Sequence, residues 1–255
     1  MITRTFLMLP TVGRATERKL WREGVVDWDC FLSARSVSGM SAGRKGKLNA
    51  HLRTAEQFLR QGETSYFTRL LPQNEHWRFF EDVRDRIAYL DIETDGLGPS
   101  CVTTVVGIHR KSGTTTLVRG MDLNIQNLQE SLRGSALIVT FNGSSFDLPI
   151  LEREYPFSIP IVPHFDLRHG CARLGMHGGL KRIEREMGIA RDRDLEYMTG
   201  EEAVWLWHLW EKDRNENALN TLIRYNTADI RNLEPIAESV CRHLKKRTLD
   251  LGETA

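Results

Sequence analysis

The chain has 255 residues, of which 40% are hydrophobic and 27% charged, and its net charge is +1. This composition is ordinary for a globular protein and allows one large domain or a domain with a smaller accessory region. No apolar run approaches the roughly 20 residues that a bilayer-spanning helix needs. Residues 1–10 also lack the apolar core of a signal peptide, so we expect no membrane partner.

The four cysteines do not suggest a disulfide scaffold or a zinc site. They are about seventy residues apart and form no C-x-x-C pair. Reduced thiols in a cytoplasmic protein are the simpler expectation.

The charge is unevenly distributed along the chain. Residues 1–60 carry a net charge of +6, and the remainder carries −5. A basic segment joined to an acidic one suits a polyanion-binding surface beside a cation site. Charge alone leaves two ordinary solvated surfaces as an equally good interpretation.

Local patterns divide the chain into a helical first part and an alternating second part. Apolar spacing predicts early helices over residues 14–24, 28–33, 47–60 and 77–84, with a Gly/Ser/Lys-rich loop at 39–46. Strands are predicted over 87–90, 102–110, 114–119 and 136–141. Later helices are predicted over 125–132, 147–154, 179–187, 200–212 and most of 216–246. This order implies a mixed sheet covered by helices on both faces.

The strongest local signal is the string A-Y-L-D-I-E-T-D-G, in which Asp91 and Glu93 are two residues apart in a strand. Residues with this spacing face the same way. Two carboxylates about 4 Å apart repel by about 4 kcal/mol at an effective dielectric of 20, and a divalent cation reverses the sign of that energy. A calcium loop is excluded because its twelfth position, Val102, cannot supply the bidentate carboxylate.

Two later strings contribute one acid each. F-N-G-S-S-F-D places Asn142 in a turn and Asp147 at the start of a helix, and R-Y-N-T-A-D places Tyr225 four residues before Asp229 on a helix. Taken singly, Asp147 is explained as a helix cap, and the tyrosine–aspartate pair is explained as an ordinary pair of side chains on the surface of a helix.

Together, the three strings resemble the motifs of the DEDD superfamily of 3′–5′ exonucleases, in the same order, over roughly residues 85–242. The position five residues before Asp229 holds Arg224 rather than histidine, and the position four before it holds Tyr225. The chain is therefore similar to the tyrosine branch, DEDDy. The strings H-F-D-L-R-H and G-G-L-K-R-I-E-R-E-M-G-I further resemble the YprB-like group within it.

This resemblance implies an α/β fold in which a ribonuclease-H-like mixed sheet is flanked by helices and preceded by a small helical N-terminal region. We expect a helical basic region over residues 1–80 and the exonuclease domain over 81–255. The implied function is hydrolysis of phosphodiesters from the 3′ end of a nucleic acid, with DNA favoured over RNA.

The resemblance also implies two divalent cations, Mg²⁺ or Mn²⁺, and a set of catalytic residues. Hard oxygen ligands favour these metals over zinc. Tyr225 is expected to orient water rather than act as a strong base, because a phenol is protonated at neutral pH. The implied metal ligands are Asp91, Glu93, Asp147 and Asp229.

Further residues are candidates for contact with the nucleic acid, with turn or core packing as the alternative for each. Asp166 is expected to be a structural acid, although a fifth carboxylate near the metals stays open. The candidate nucleic-acid-binding residues are Thr94, Leu97, Asn142, Phe146, Arg168 and Lys181.

Residues 9–24 partly resemble a helix-hairpin-helix motif, with Thr11 where the first glycine usually stands and Gly13 in the second glycine position. Such a turn offers backbone N–H groups to phosphates. A plain helical hairpin is the alternative. For the whole chain, a structure-specific endonuclease on the same fold and a non-catalytic nucleic-acid-binding protein remain as alternative functions.

Overall fold

A mixed β-sheet with helices on its faces follows a helical N-terminal region. The computed structural model describes residues 1–98 and 100–253, with the side chains of 251–253 excepted. The elements, in chain order, are α1 (Arg14–Arg22), α2 (Trp28–Ser33), α3 (Ala42–Gln61), β1 (Ile87–Thr94), β2 (Thr103–Arg110), β3 (Gly113–Val118), α4 (Ile125–Leu132), β4 (Leu137–Thr140), α5 (Asp147–Glu154), β5 (His164–Asp166), α6 (Leu167–Arg173), α7 (Leu180–Met187), α8 (Gly200–Asp213) and α9 (Glu216–Glu253).

The sheet order is β3-β2-β1-β4-β5. The first three strands are antiparallel neighbours, whereas β1, β4 and β5 run parallel. The predicted mixed sheet is therefore confirmed. Because the carboxyl ends of parallel strands lie at the same edge, β1, β4 and β5 bring the residues that follow them to one place.

The core lies on both faces of the sheet. In β1, Ile87 and Tyr89 pack into one hydrophobic cluster, while Ala88 and Leu90 pack into another. This is the alternation that the two-residue period of a strand produces. The first cluster also contains residues of the N-terminal helices and of α9, so the apolar interior is continuous past residue 80. The division at residue 80 stays a prediction.

Several element boundaries differ from the sequence predictions. Helix α3 begins at Ala42 rather than 47, because the Ser41 hydroxyl accepts a hydrogen bond from the Arg44 N–H and caps it. The helix predicted over 77–84 is instead a 3-10 helix over Gln73–Phe79 followed by turns. Strand β5 and helix α6 have no counterpart in the sequence prediction, since a three-residue strand is too short to show a period.

The region resembling a helix-hairpin-helix motif is only partly built that way. Gly13 caps α1, but the described residues before it form the 3-10 helix Ile2–Arg4 and turns rather than an α-helix. Thr11 adopts a positive φ of 64°, the conformation that glycine usually supplies. Arg44 donates hydrogen bonds to both the carbonyl and the hydroxyl of Thr11, which holds this turn in place.

None of the helices in the described ranges is both long enough and apolar enough to cross a membrane. All four cysteines are free thiols, and Cys101, Cys171 and Cys241 are buried.

Candidate active site

Three carboxylates from two distant parts of the chain converge at the edge of the sheet. Asp91 and Glu93 on β1 and Asp229 on α9 each offer an oxygen, and the three oxygens lie within 4.8 Å of one another. Glu93 and Asp229 are buried, whereas Asp91 is half-buried. The alternation of β1 turns the first two acids to the face that α9 covers.

Asp147, the fourth predicted acid, lies beside this group and is not one of the three. It is the first residue of α5, and its Oδ1 accepts a 3.0 Å hydrogen bond from the backbone N–H of Ile92. Ile92 is the residue between Asp91 and Glu93, so α5 is fastened to the strand that carries the cluster. The role of Asp147 as a metal ligand stays a prediction.

Tyr225 lies one helical turn before Asp229 and is 7% exposed. Burial, with the charges of Asp229 and Glu93, raises the pKa of its phenol well above the usual value. The Lys181 ammonium lies 4.7 Å from the centroid of its ring. The phenol is therefore protonated at neutral pH and is held beside the carboxylates by a cation–π contact.

Two residues that sequence reasoning did not identify hold the acids in place. The Asn226 amide donates a 3.0 Å hydrogen bond to Asp91 Oδ2. The Arg191 guanidinium forms an ion pair with Asp229. It also forms a bidentate ion pair with Glu184, with N–O distances of 2.6 and 2.7 Å. The Arg191 side chain is 3% exposed, so this ion pair is buried.

The cluster has the electrostatics of a cation site. Burial raises the pKa of Asp91 and of Glu93 well above their usual values, and neighbouring carboxylates add to the effect. Burial also raises the pKa of Asp147 to about 7 and that of Asp229 to about 6, although Arg191 opposes the latter. Like charges in a shared dry site resist ionisation until a cation compensates them. The donor set, made only of carboxylate oxygens, fits Mg²⁺ or Mn²⁺.

Asp166 has the contacts of a structural acid, and its place as a fifth carboxylate near the metals stays a prediction. Its carboxylate accepts hydrogen bonds from the backbone N–H groups of Asn142, Ser144 and Arg168 and from the Ser144 hydroxyl. Burial acts to raise the pKa of Asp166, but these hydrogen bonds lower it below the usual value. The carboxylate thus fixes the loop after β4, in which Asn142 has a positive φ of 69°.

The predicted nucleic-acid-binding residues are placed in different surroundings. Asn142 Oδ1 accepts a 2.7 Å hydrogen bond from the exposed Arg168. The buried Thr94 hydroxyl donates to the Gly96 carbonyl at 2.6 Å, which makes it part of a turn. Their contacts with a nucleic acid stay predictions. Of the others, Lys181 lies over Tyr225, Leu97 is 68% exposed, and Phe146 is half-buried against the second hydrophobic cluster.

An acid pair at the end of a central strand and a third acid on the crossing helix define a carboxylate centre on a ribonuclease-H-like fold. A family model of the RNase H superfamily matches residues 88–241. The chain belongs to the RNase H superfamily.

Comparison with solved structures gives a likeness to the family B DNA polymerase from the hyperthermophilic archaeon Pyrobaculum calidifontis. The two are 18% identical, with a TM-score of 0.48. The likeness covers 60% of this chain and 24% of the polymerase chain. No curated protein sequence matches the chain.

Proposed function

We propose that the chain is a metal-dependent 3′–5′ exonuclease of the DEDDy type that hydrolyses nucleic-acid phosphodiesters, with DNA as the preferred polymer. Membership of the RNase H superfamily supports a nuclease in general. The observation that carries the finer proposal is the meeting of Asp91, Glu93 and Asp229 within 4.8 Å. Tyr225 stands one helical turn from the last of them.

Each protein group has a distinct task in this proposal. Asp91, Glu93, Asp147 and Asp229 would hold two Mg²⁺ or Mn²⁺ ions, which would supply activation of water and stabilisation of the leaving 3′ oxygen. The protonated phenol of Tyr225 orients the water by hydrogen bonding and does not remove its proton. Asn226 holds Asp91 at 3.0 Å, and Arg191 holds Asp229, so the acids are positioned before substrate arrives.

The test is degradation of a 5′-labelled oligonucleotide with a free 3′ end in the presence of Mn²⁺. We expect products shortened one nucleotide at a time from the 3′ end, and no products in EDTA. Asp91→Asn and Asp229→Asn should each slow cleavage by more than about a hundredfold, since even residues that only support metal ligands contribute about 10- to 100-fold.

The matched control is Asp85→Asn, an exposed acid outside the cluster whose side chain pairs with Lys111. This variant should cleave at the rate of the unchanged protein. Equal activity of the Asp91 and Asp85 variants would contradict the assignment of the centre. Cleavage within a strand whose 3′ end is blocked would replace the exonuclease with an endonuclease on the same centre.

A further inference from the structure

A cavity of about 210 Å³ lined by arginines lies away from the carboxylate centre, where α1, the 3-10 helix Gln73–Phe79, α6 and the last part of α9 meet. Arg14, Arg18, Arg78, Arg173 and Arg247 line it. Two glutamates complete its charged lining, which leaves an excess of three positive charges. We call it the arginine cavity.

The two glutamates of the arginine cavity are already neutralised. Glu17 accepts a hydrogen bond at 3.0 Å from Arg78, and Glu75 accepts one at 2.7 Å from the same guanidinium. Glu75 also pairs with Arg14 at 2.8 Å and with Arg173 at 3.3 Å. Both glutamates and Arg78 are at most 2% exposed, so these pairs form a fixed wall.

Two arginines of the cavity, Arg18 and Arg247, take no part in this network of ion pairs. Among the described residues, neither Arg18 nor Arg247 forms an ion pair with a carboxylate, and the Arg247 guanidinium donates to the carbonyl of Arg173 at 2.5 Å. A purely structural role explains the arginines that pair with Glu17 and Glu75. It leaves the surplus charge unexplained, because cations gathered in a cleft repel one another unless an anion enters.

The position of the arginine cavity suits a long anion that also reaches the carboxylate centre. Arg247 follows Asp229 by 18 residues in α9, which is about 27 Å along the helix at 1.5 Å per residue. Arg173 also lines a neighbouring cavity of about 310 Å³ that includes Asp166. Asp166 ends β5 and holds the loop after β4, so this second cavity lies at the carboxyl ends of two of the parallel strands.

We propose that the arginine cavity binds a backbone phosphate of the nucleic-acid strand whose 3′ end lies at the carboxylate centre. Guanidinium groups bind phosphate oxygens through two parallel hydrogen bonds, which suits Arg18 and Arg247. At about 3.4 Å per stacked nucleotide, 27 Å along α9 corresponds to about eight nucleotides. This inference rests on the proposed function for the identity of its ligand.

The experiment measures binding of a fluorescent 15-nucleotide single strand by anisotropy in EDTA, where no cleavage occurs. Arg18→Gln/Arg247→Gln should raise Kd about tenfold or more and lower the salt slope by about 0.7 for each phosphate that the protein no longer neutralises. The matched control, Arg242→Gln/Lys246→Gln, removes the same charge from α9 at two positions outside the cavity lining. It should change Kd less than threefold. Arg18→Lys/Arg247→Lys keeps the charge but loses the two parallel hydrogen bonds, so it should recover only part of the affinity.

Equal losses of affinity in the two glutamine pairs would overturn the proposal in favour of diffuse attraction. Saturable binding of inorganic phosphate that the Arg18→Gln/Arg247→Gln pair abolishes, with strand binding unaffected by that pair, would show a free-anion site and overturn the strand assignment. Cleavage of a trinucleotide in Mn²⁺, which is too short to reach the cavity, tests the carboxylate centre separately. The cavity variants should cleave it at the unchanged rate. Absent cleavage with intact strand binding would refute the exonuclease and leave the cavity as a strand-binding site.

Discussion

Two buried carboxylates, Glu184 and Asp229, both depend on the guanidinium of Arg191. Removing one partner of a buried ion pair typically costs about 3–5 kcal/mol, because the remaining charge is left without compensation. The guanidinium also lies 5.8 Å from the centroid of the Tyr225 ring. One side chain therefore contacts both Tyr225 and Asp229.

Arg191→Gln should lower the free energy of unfolding of the metal-free protein by about 3 kcal/mol. A divalent cation can compensate Asp229 in its place, so Mn²⁺ should raise the melting temperature of this variant more than that of the unchanged protein. Thermal unfolding in EDTA and in Mn²⁺ measures both quantities. Arg193→Gln is the control, since Arg193 is exposed two residues away. An identical response of the two variants to Mn²⁺ would contradict this account of the ion pair.

At the scale of elements, α9 meets the sheet over β2 at a position that only glycine allows. Gly107 pairs with Asp91 in the antiparallel register of β1 and β2. A Cβ atom on Gly107 would lie 2.0 Å from Asn226 Oδ1. The hydrogen bond from Asn226 to Asp91 therefore depends on the absence of a side chain on the neighbouring strand.

Gly107→Ala should displace Asn226 and lose about 1–3 kcal/mol of stability together with most of the nuclease activity. Gly107→Ala/Asn226→Ala should recover part of the stability, because the shortest contact of the added Cβ is removed, and none of the activity. Chemical denaturation and the oligonucleotide assay measure the two effects. Gly46→Ala provides the control, since Gly46 lies within α3 with nothing within 4 Å of its added Cβ. Full activity in Gly107→Ala would refute the positioning role of Asn226.

The same elements explain what the sequence could and could not predict. Asp91 and Glu93 were predictable because a strand's two-residue period alone places them on one side. The pairing of Asn226 with Asp91 and that of Arg191 with Glu184 and Asp229 are tertiary contacts that leave no local period. Their partners come from different elements, and only the folded chain brings them together.

At the scale of the whole molecule, stability at low pH depends on His164, a buried histidine on the edge strand β5. Burial lowers the pKa of His164 to about 4, and its Nε2 lies 2.9 Å from the Thr140 hydroxyl. The unfolded chain binds a proton at His164 below its ordinary pKa of about 6.5, whereas the folded chain does so only below about 4. Stability from this group is therefore present above pH 6.5 and is lost as pH falls towards 4.

His164→Gln should make the free energy of unfolding less dependent on pH between about 6.5 and 4, by up to about 3 kcal/mol at 1.36 kcal/mol per pKa unit. Urea denaturation across this pH range, in the presence of EDTA, gives the comparison. His51→Gln is the control, because it removes an exposed histidine of α3 that lies outside the core. Parallel pH curves for the unchanged protein and His164→Gln would contradict the prediction.

The hydrophobic cluster that continues from the N-terminal helices to α9 ties the two predicted regions into one interior. Arg14 of α1 pairs with Glu75, and Arg173 of α6 pairs with the same carboxylate. The two predicted regions therefore share both apolar packing and a buried charge network. Residues 1–80 are accordingly part of the packing that supports the sheet, in addition to being basic.

The meeting of β1 and α9 at the carboxylate centre joins positions 91 and 229, which are 138 residues apart in the chain. A cation shared by Asp91 and Asp229 would act as a reversible cross-link across that span, because a bound ion adds its binding energy to the folded state. We then expect the backbone amides of β1 and of the first turns of α9 to exchange their hydrogens with solvent more slowly in Mn²⁺ than in EDTA. The centre thus closes a loop that contains most of the sheet, and a cation bound there would control how readily that part of the chain opens.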